Sequence, residues 1–171
     1  VDSMGDGFVS LENDVLPALA ASGHLFGETY EGFMLDIGLP ETFESAQSSV
    51  PAQMVRPAVF LDRDGVINED VGYAHRPDQI SWIEGAIPAV KHLNDAGFYV
   101  FVVSNQAGVA RGKYTEAHVK DLHCWMAAQL AEQGAHVDAF SYCPYHPEGT
   151  VAEYAKASRH RKPEPGMILD I

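Results

Sequence analysis

Short apolar runs alternating with amphipathic segments constrain this chain more than any other feature of its sequence. Residues 58–61 and 98–103 are continuous apolar stretches, the pattern of parallel strands buried on both faces. Residues 137–142 read as a third strand. Between the first two, Gly85-Ala86-Ile87-Pro88 opens a helix with Ile87, Val90 and Leu93 facing inward, and Gly97 ends it. Between the second and third, Thr115 caps a helix whose inner face is Val119, Leu122, Met126 and Leu130, and Gly134 closes it. Strand–helix alternation implies right-handed crossovers and therefore an α/β, doubly wound parallel sheet.

The first third of the chain reads differently. Residues 1–9 carry Gly, Asp and Ser and read as loop, and Ser10 stands as the N-cap of a helix with Leu11, Val15 and Leu19 on one face up to Gly23. Pro17 interrupts that pattern. Residues 30–38 read as a strand ending in a turn, with Pro40-Glu41 opening another short helix. A polar stretch with Pro51 and Pro57, residues 45–57, reads as a linker, which places a domain boundary before residue 58. No internal repeat or low-complexity tract is visible.

Chemistry concentrates where the apolar runs end. After Phe60-Leu61 come Asp62, Arg63, Asp64 and Gly65. Two aspartates one residue apart at a strand end crowd their carboxylates once Gly65 lets the backbone turn. Crowded carboxylates outside the carboxyl end of a parallel strand suit a divalent cation, in the crevice where open α/β sheets bind ligands. The same letters also serve a plain Asp-Gly turn, and the pair alone does not choose between them.

Further residues carry a resemblance. FLDRDGVINED followed by GYAHRP, then VVSNQAGVARG, CPYHPEG and RKPEPGM, in that order, resemble the motifs of the haloacid dehalogenase (HAD) superfamily, over about residues 57 to 171. The match is narrower still to its capless branch of heptose bisphosphate and histidinol phosphatases. The resemblance implies that Asp62 is a nucleophile forming an aspartyl-phosphate, and that Asp64 is the general acid and then base. It implies Mg²⁺ on the Asp62 carboxylate and the Asp64 carbonyl. Ser104, Asn105 and Gln106 correspond to the phosphate-gripping motif, with Arg111 close downstream. Lys162 corresponds to the lysine that neutralises the nucleophile and the transferring phosphoryl group. Arg161, Asp70 and Tyr73 fall where relatives contact the rest of the substrate.

Many relatives hold a structural zinc with C-x-H and C-x-C, but here those four places read Cys143, Tyr145, Ser158 and His160. Cys143 and His160, with His146 one place out of register, are fewer than the four ligands a structural zinc takes. A zinc-free loop packed by Tyr145 and its prolines is expected. His92, His118 and His123 fall in helical segments and read as surface residues.

The resemblance also implies an acidic metal ligand on a further strand. The chain stops at Ile171, five residues past Gly166, so a C-terminally truncated core is expected, with Asp170 on the incipient helix no substitute. Residues 10–47, notably Asp36-Ile37-Gly38-Leu39-Pro40-Glu41, resemble the C-terminal end of sugar-phosphate nucleotidyltransferases, in which Asp36 would match a metal-holding aspartate. The expectation is a remnant of such a domain over 1–44, a linker over 45–57 and the phosphatase domain over 58–171. A bifunctional parent would remove one sugar phosphate and then activate the other. The readings left beside this are a histidinol-phosphate phosphatase and a non-catalytic fragment.

Charge and cysteines bound the partners. A formal net charge of −13 excludes an ordinary nucleic-acid binder. The imbalance is heaviest in residues 1–56, at −8, while residues 57–171 stand at −5 with Arg63, Arg111, Lys113, Arg161 and Lys162 in the motif loops. A locally basic pocket there suits a small phosphorylated substrate. Two cysteines, Cys124 and Cys143, make no disulfide framework, and the start Val1-Asp2-Ser3 shows no export signal, so a cytoplasmic location is expected. No run of about 18 apolar residues is present to span a membrane.

Overall fold

The computed structural model describes residues 9–28 and 33–171 and divides the chain into two compact units, Val1–Gln53 and Met54–Ile171. In the first unit Ser10 is an N-cap, its hydroxyl accepting from the Asn13 N–H at 3.1 Å. A five-residue π-helical stretch, Leu11–Val15, leads into α1, Leu16–Ala21. Pro17 falls in the first turn of α1, directly after the π-helical stretch.

Two expectations for this unit change. Of the strand foreseen over 30–38, residues 30–32 lie outside the described residues and 33–37 carry no regular structure. The Asp36 side chain instead closes a turn, accepting from the Gly38 N–H at 2.8 Å. The foreseen linker is helical as far as Met54, within α2, Pro40–Met54. Serine made the stretch look like a linker, yet Ser45, Ser48 and Ser49 donate to carbonyls three or four residues back and satisfy their hydroxyls inside the helix. The unit boundary at Gln53/Met54 lies within the stretch read as linker.

The second unit is a three-stranded parallel sheet in the order β1 (Ala58–Leu61), β2 (Tyr99–Asn105), β3 (Ala139–Cys143). Phe60 pairs with Phe101 and Asn105 with Cys143. Helices α3 (Ala86–Asp95) and α4 (Glu116–Glu132) follow β1 and β2. Right-handed crossovers that step twice in one direction lay both helices on one face. Val100 and Val102 of β2 accordingly bury against Val90 of α3 and Leu122, Met126 and Leu130 of α4. On the other face Phe60 stacks on Phe101, and Val103 packs with Cys143 and with Met167 of the short α5, Gly166–Leu169. Gly97 and Gly134 end α3 and α4 in the left-handed region, at φ 81° and 69°, as their positions foretold.

His123 is the exception on α4. It is buried, not on the surface, stacked on Phe140 at 4.7 Å and edge-on to Tyr142. Its place one position after Leu122 brings it onto the rim of the inward stripe, against the β3 aromatics. Among the described residues no helix is long and apolar enough to cross a membrane.

Candidate active site

β1 delivers Asp62 and Asp64 at its carboxyl end. Gly65 takes φ 82° and the chain folds back, so that Val66, Ile67 and Asn68 all direct their N–H groups at the Arg63 carbonyl. That turn separates the two carboxylates into different surroundings. Asp62 keeps a side chain 43% exposed. One oxygen accepts the Arg63 N–H at 2.8 Å, and the other meets Lys162 Nζ at 2.7 Å.

Lys162 is held in place from three directions. Its Nζ also donates to the Val103 carbonyl at 2.9 Å, and its backbone is clasped by Asn105. Asn105 Nδ2 donates to the Lys162 carbonyl at 3.1 Å while Asn105 Oδ1 accepts the Lys162 N–H at 3.0 Å. An amide that satisfies both backbone groups of one residue ties the last residue of β2 to the loop carrying the cation. Asn105 therefore acts on the site through Lys162.

Asp64 is embedded among donors. Arg63 reaches it from Nε at 3.1 Å and from Nη2 at 2.9 Å to each oxygen, Asn68 Nδ2 at 3.0 Å, and Gln106 Nε2 at 3.2 Å. The Arg63 side chain is 1% exposed. It was expected among the bases facing a substrate; it is turned inward, forked on Asp64 and donating to the Ala74 carbonyl at 2.8 Å. Of the remaining foreseen residues, Ser104 and Gln106 are buried at 1% and 2% exposure and hydrogen-bonded to each other. Asp70 caps the Gly72 N–H at 2.9 Å. Tyr73, at φ 61° an uncommon conformation for a side chain of this size, accepts from Arg111 Nη1 at 2.9 Å, which brings two of the foreseen substrate residues together. Arg161 is half-buried and its Nη1 finds no partner.

Asn68, Tyr114 and His123 were not legible as parts of this site. Asn68 lies four residues after Asp64 in a turn that the sequence alone does not draw. His123 faces Arg63 Nη1 across 3.5 Å. Burial, aided by the Arg63 charge, brings its imidazole from the ordinary 6.5 down to about 3. A neutral ring is thus what the fold accommodates. The unfolded chain binds a proton on this residue below about pH 6.5 and the folded chain only near pH 3, so stability contributed by His123 is full above pH 6.5 and declines as pH falls through that window. Chemical denaturation from pH 7 to 4 should show a loss steeper by about 1 kcal/mol or more than in His123→Phe. Parallel pH dependences of the two proteins would contradict the assignment.

For a divalent cation the protein offers the Asp62 carboxylate and the Asp64 carbonyl, which no described residue hydrogen-bonds. Mg²⁺ keeps several waters and needs only one or two carboxylates beside a substrate phosphate, so this donor set fits it. Among the described residues no three His, Cys, Asp or Glu side chains converge as a metal site. His146 Nδ1 accepts from the Glu148 N–H, and His160 Nε2 lies 2.6 Å from Asp170. His160, and then Arg159, hold the Asp170 carboxyl below its ordinary range. Cys143 is buried in the cluster with Val103 and Met167, and Tyr145 packs on that cluster with Lys156 over its ring at 4.4 Å.

No protein-family model matches the chain. Individual relatives do. A D-glycero-beta-D-manno-heptose-1,7-bisphosphate 7-phosphatase of Rhodopseudomonas palustris is 51% identical over 116 residues, which is 68% of this chain and 64% of the relative. The protein of that name from Escherichia coli K12 is 49% identical over 113 residues, 66% of this chain and 59% of the relative. Among solved structures, D,D-heptose 1,7-bisphosphate phosphatase from B. bronchiseptica, complexed with magnesium and phosphate, superposes with a TM-score of 0.59 at 35% identity, covering 67% of this chain and 60% of that one. Over its second unit this chain is similar to the heptose bisphosphate phosphatases, and its fold is HAD-like. A HAD-like phosphatase candidate from Mesorhizobium loti gives a TM-score of 0.63 at 37% identity, over 67% of this chain and 55% of that one. The chain spans about three fifths of the length of the relatives it matches, over a stretch the size of its second unit. The nucleotidyltransferase remnant expected over residues 1–44 finds no support among these relatives.

Proposed function

We propose that the second unit carries the reaction centre of a Mg²⁺-dependent sugar-bisphosphate phosphatase, acting on D-glycero-D-manno-heptose 1,7-bisphosphate at the C7 phosphate. The observation that carries this reading is the Asp62–Lys162 pair at the carboxyl end of β1, with Asp64 two residues on in a separate donor cage. Of the two aspartates at this strand end, Asp62 is the more exposed, its side chain at 43% against 24% for Asp64, and its oxygen meets the Lys162 cation. Lys162 lowers the repulsion between that oxygen and an incoming phosphoryl group. An Asp62 oxygen attacks phosphorus, the bond from phosphorus to the sugar oxygen breaks, and Asp64 supplies the proton that the leaving oxygen takes up. Asp64 then takes a proton from the water that attacks phosphorus in the aspartyl-phosphate, which frees Asp62 and inorganic phosphate. Bound Mg²⁺, held by Asp62 and the Asp64 carbonyl, would offset the negative charge on the phosphoryl oxygens.

In this reading Ser104 and the backbone after β2 grip the transferring phosphate, and Arg111, Tyr73 and Arg161 hold the rest of the sugar. Asp70 belongs to the loop that carries Tyr73. The cysteines Cys124 and Cys143 are both free, which suits a cytoplasmic enzyme, and the Cys143 loop is held by Tyr145 packing rather than by zinc.

The test is phosphate release by the full chain, with and without Mg²⁺, from heptose 1,7-bisphosphate and from histidinol phosphate. Release from the heptose substrate alone, with the C7 phosphorus signal lost by ³¹P NMR, is the expected result. Preference for histidinol phosphate, or equal rates after chelation, would overturn it.

A further inference from the structure

Behind Asp64 runs a chain of hydrogen bonds that neither the motifs nor the reaction scheme assigns. Tyr114, just before α4, is buried at 6% exposure and donates its hydroxyl to Gln106 Oε1 at 2.7 Å. Gln106 Nε2 then donates to Asp64 Oδ2 at 3.2 Å and to Ser104 Oγ at 2.7 Å. The ring lies directly on Gly108, where a Cβ would overlap it, and His75 stacks on it with ring centroids 4.9 Å apart and planes 16° from parallel. Tyr114 is therefore fixed by shape before its hydroxyl makes any bond.

A buried glutamine amide has two orientations, and the groups at its ends choose between them. Asp64 as a carboxylate, the form it takes once its proton has gone to the leaving oxygen, only accepts, so the amino group must face it; reversed, two oxygens would meet with no proton between them. At the far end the carbonyl then needs a donor in a buried place, and the Tyr114 hydroxyl is that donor. Burial pushes Tyr114 up to about 12, so its proton is present across the working range. With the amino group turned inward, Ser104 accepts from Gln106 and its own proton remains for a ligand oxygen.

We propose that Tyr114 is a positioning residue for the phosphatase reaction: through Gln106 it sets the direction of the hydrogen bonds that hold Asp64 and Ser104. The inference rests on the assignment of Asp64 as acid and base and extends it to a residue ten places beyond Ser104.

Tyr114→Phe keeps the ring in its slot and removes only the donor. On heptose 1,7-bisphosphate we expect kcat to fall about tenfold with KM within about twofold of wild type, the scale of losing a supporting hydrogen bond. On p-nitrophenyl phosphate, whose leaving group needs little protonation, the fall should be several-fold smaller. Gln106→Leu, which also removes the direct bonds to Asp64 and Ser104, should lose at least as much as Tyr114→Phe, and the double variant no more than Gln106→Leu alone. Additive losses, or equal losses on the two substrates, would show that Tyr114 merely supports the fold.

A readout independent of turnover accompanies these. The Gln106 side-chain NH₂ signals, assigned by their absence in Gln106→Leu, should shift and exchange faster with solvent in Tyr114→Phe. Unchanged signals would overturn the proposal. If the wild-type chain releases phosphate from neither substrate, the functional reading fails, while the NMR comparison still decides whether Tyr114 governs Gln106.

Discussion

Replacing Asp62 by Asn should abolish phosphate release, by at least about a thousandfold in kcat, while leaving the fold intact. The size follows from the role: a nucleophile that forms the covalent intermediate cannot be bypassed by the groups around it, and removal of such residues costs several powers of ten. The fold should survive because Asp62 is 43% exposed in its side chain and its ion pair is with Lys162, itself 28% exposed. Pairs of that exposure contribute little to stability. Asparagine also retains an oxygen to accept the Arg63 N–H that now meets Asp62 Oδ1 at 2.8 Å. The measurement is single-turnover phosphate release beside thermal unfolding. Residual turnover within tenfold of wild type would remove Asp62 from the nucleophile's role.

Much of the scaffold was legible before any coordinates, for reasons that can be named. The runs at 58–61 and 98–103 announce themselves because a parallel strand covered by helices has no solvent face to alternate with. The inner face of α4 is legible because Val119, Leu122, Met126 and Leu130 repeat at helical spacing and all four are buried. Asp62 and Lys162, far apart in sequence, could be joined only through a family resemblance, and the structure sets them 2.7 Å apart. What sequence could not show is the direction in which a long side chain turns. Arg63 in a loop of acids reads as a solvated base, and nothing in its neighbours says that its guanidinium folds back beneath Asp64. His123 likewise reads as surface because periodicity marks the centre of a helical stripe better than its rim. Over 45–54 the serines mimic a linker, since their habit of bonding nearby backbone serves a loop and a helix alike.

The inward turn of Arg63 has the second large consequence: Arg63→Met should destabilise the second unit by roughly 3–5 kcal/mol, the usual cost of removing one member of a buried ion pair. Three groups lose a partner at once. Asp64, whose side chain is only 24% exposed, gives up the fork on both its oxygens and is left with the neutral donors Asn68 and Gln106. The Ala74 carbonyl, on a residue 1% exposed, loses its donor at 2.8 Å. His123 is left facing a thioether instead of a guanidinium. Arg63→Lys restores the charge but not the shape, since an ammonium cannot span both Asp64 oxygens and reach the Ala74 carbonyl together. It should recover less than half of the loss. Asp64→Asn is expected to be destabilising as well, because it leaves a cation buried without its counter-charge, so lost turnover in that variant has to be read beside its stability. The double variant Arg63→Met/Asp64→Asn removes both charges and should be more stable than the sum of the single losses requires. Thermal unfolding of wild type and the four variants decides: a midpoint for Arg63→Met within a few degrees of wild type, where about 10 °C or more is expected, would mean that Asp64 and its neighbours are held without the fork, and the donor cage would have to be attributed to Asn68 and Gln106 alone.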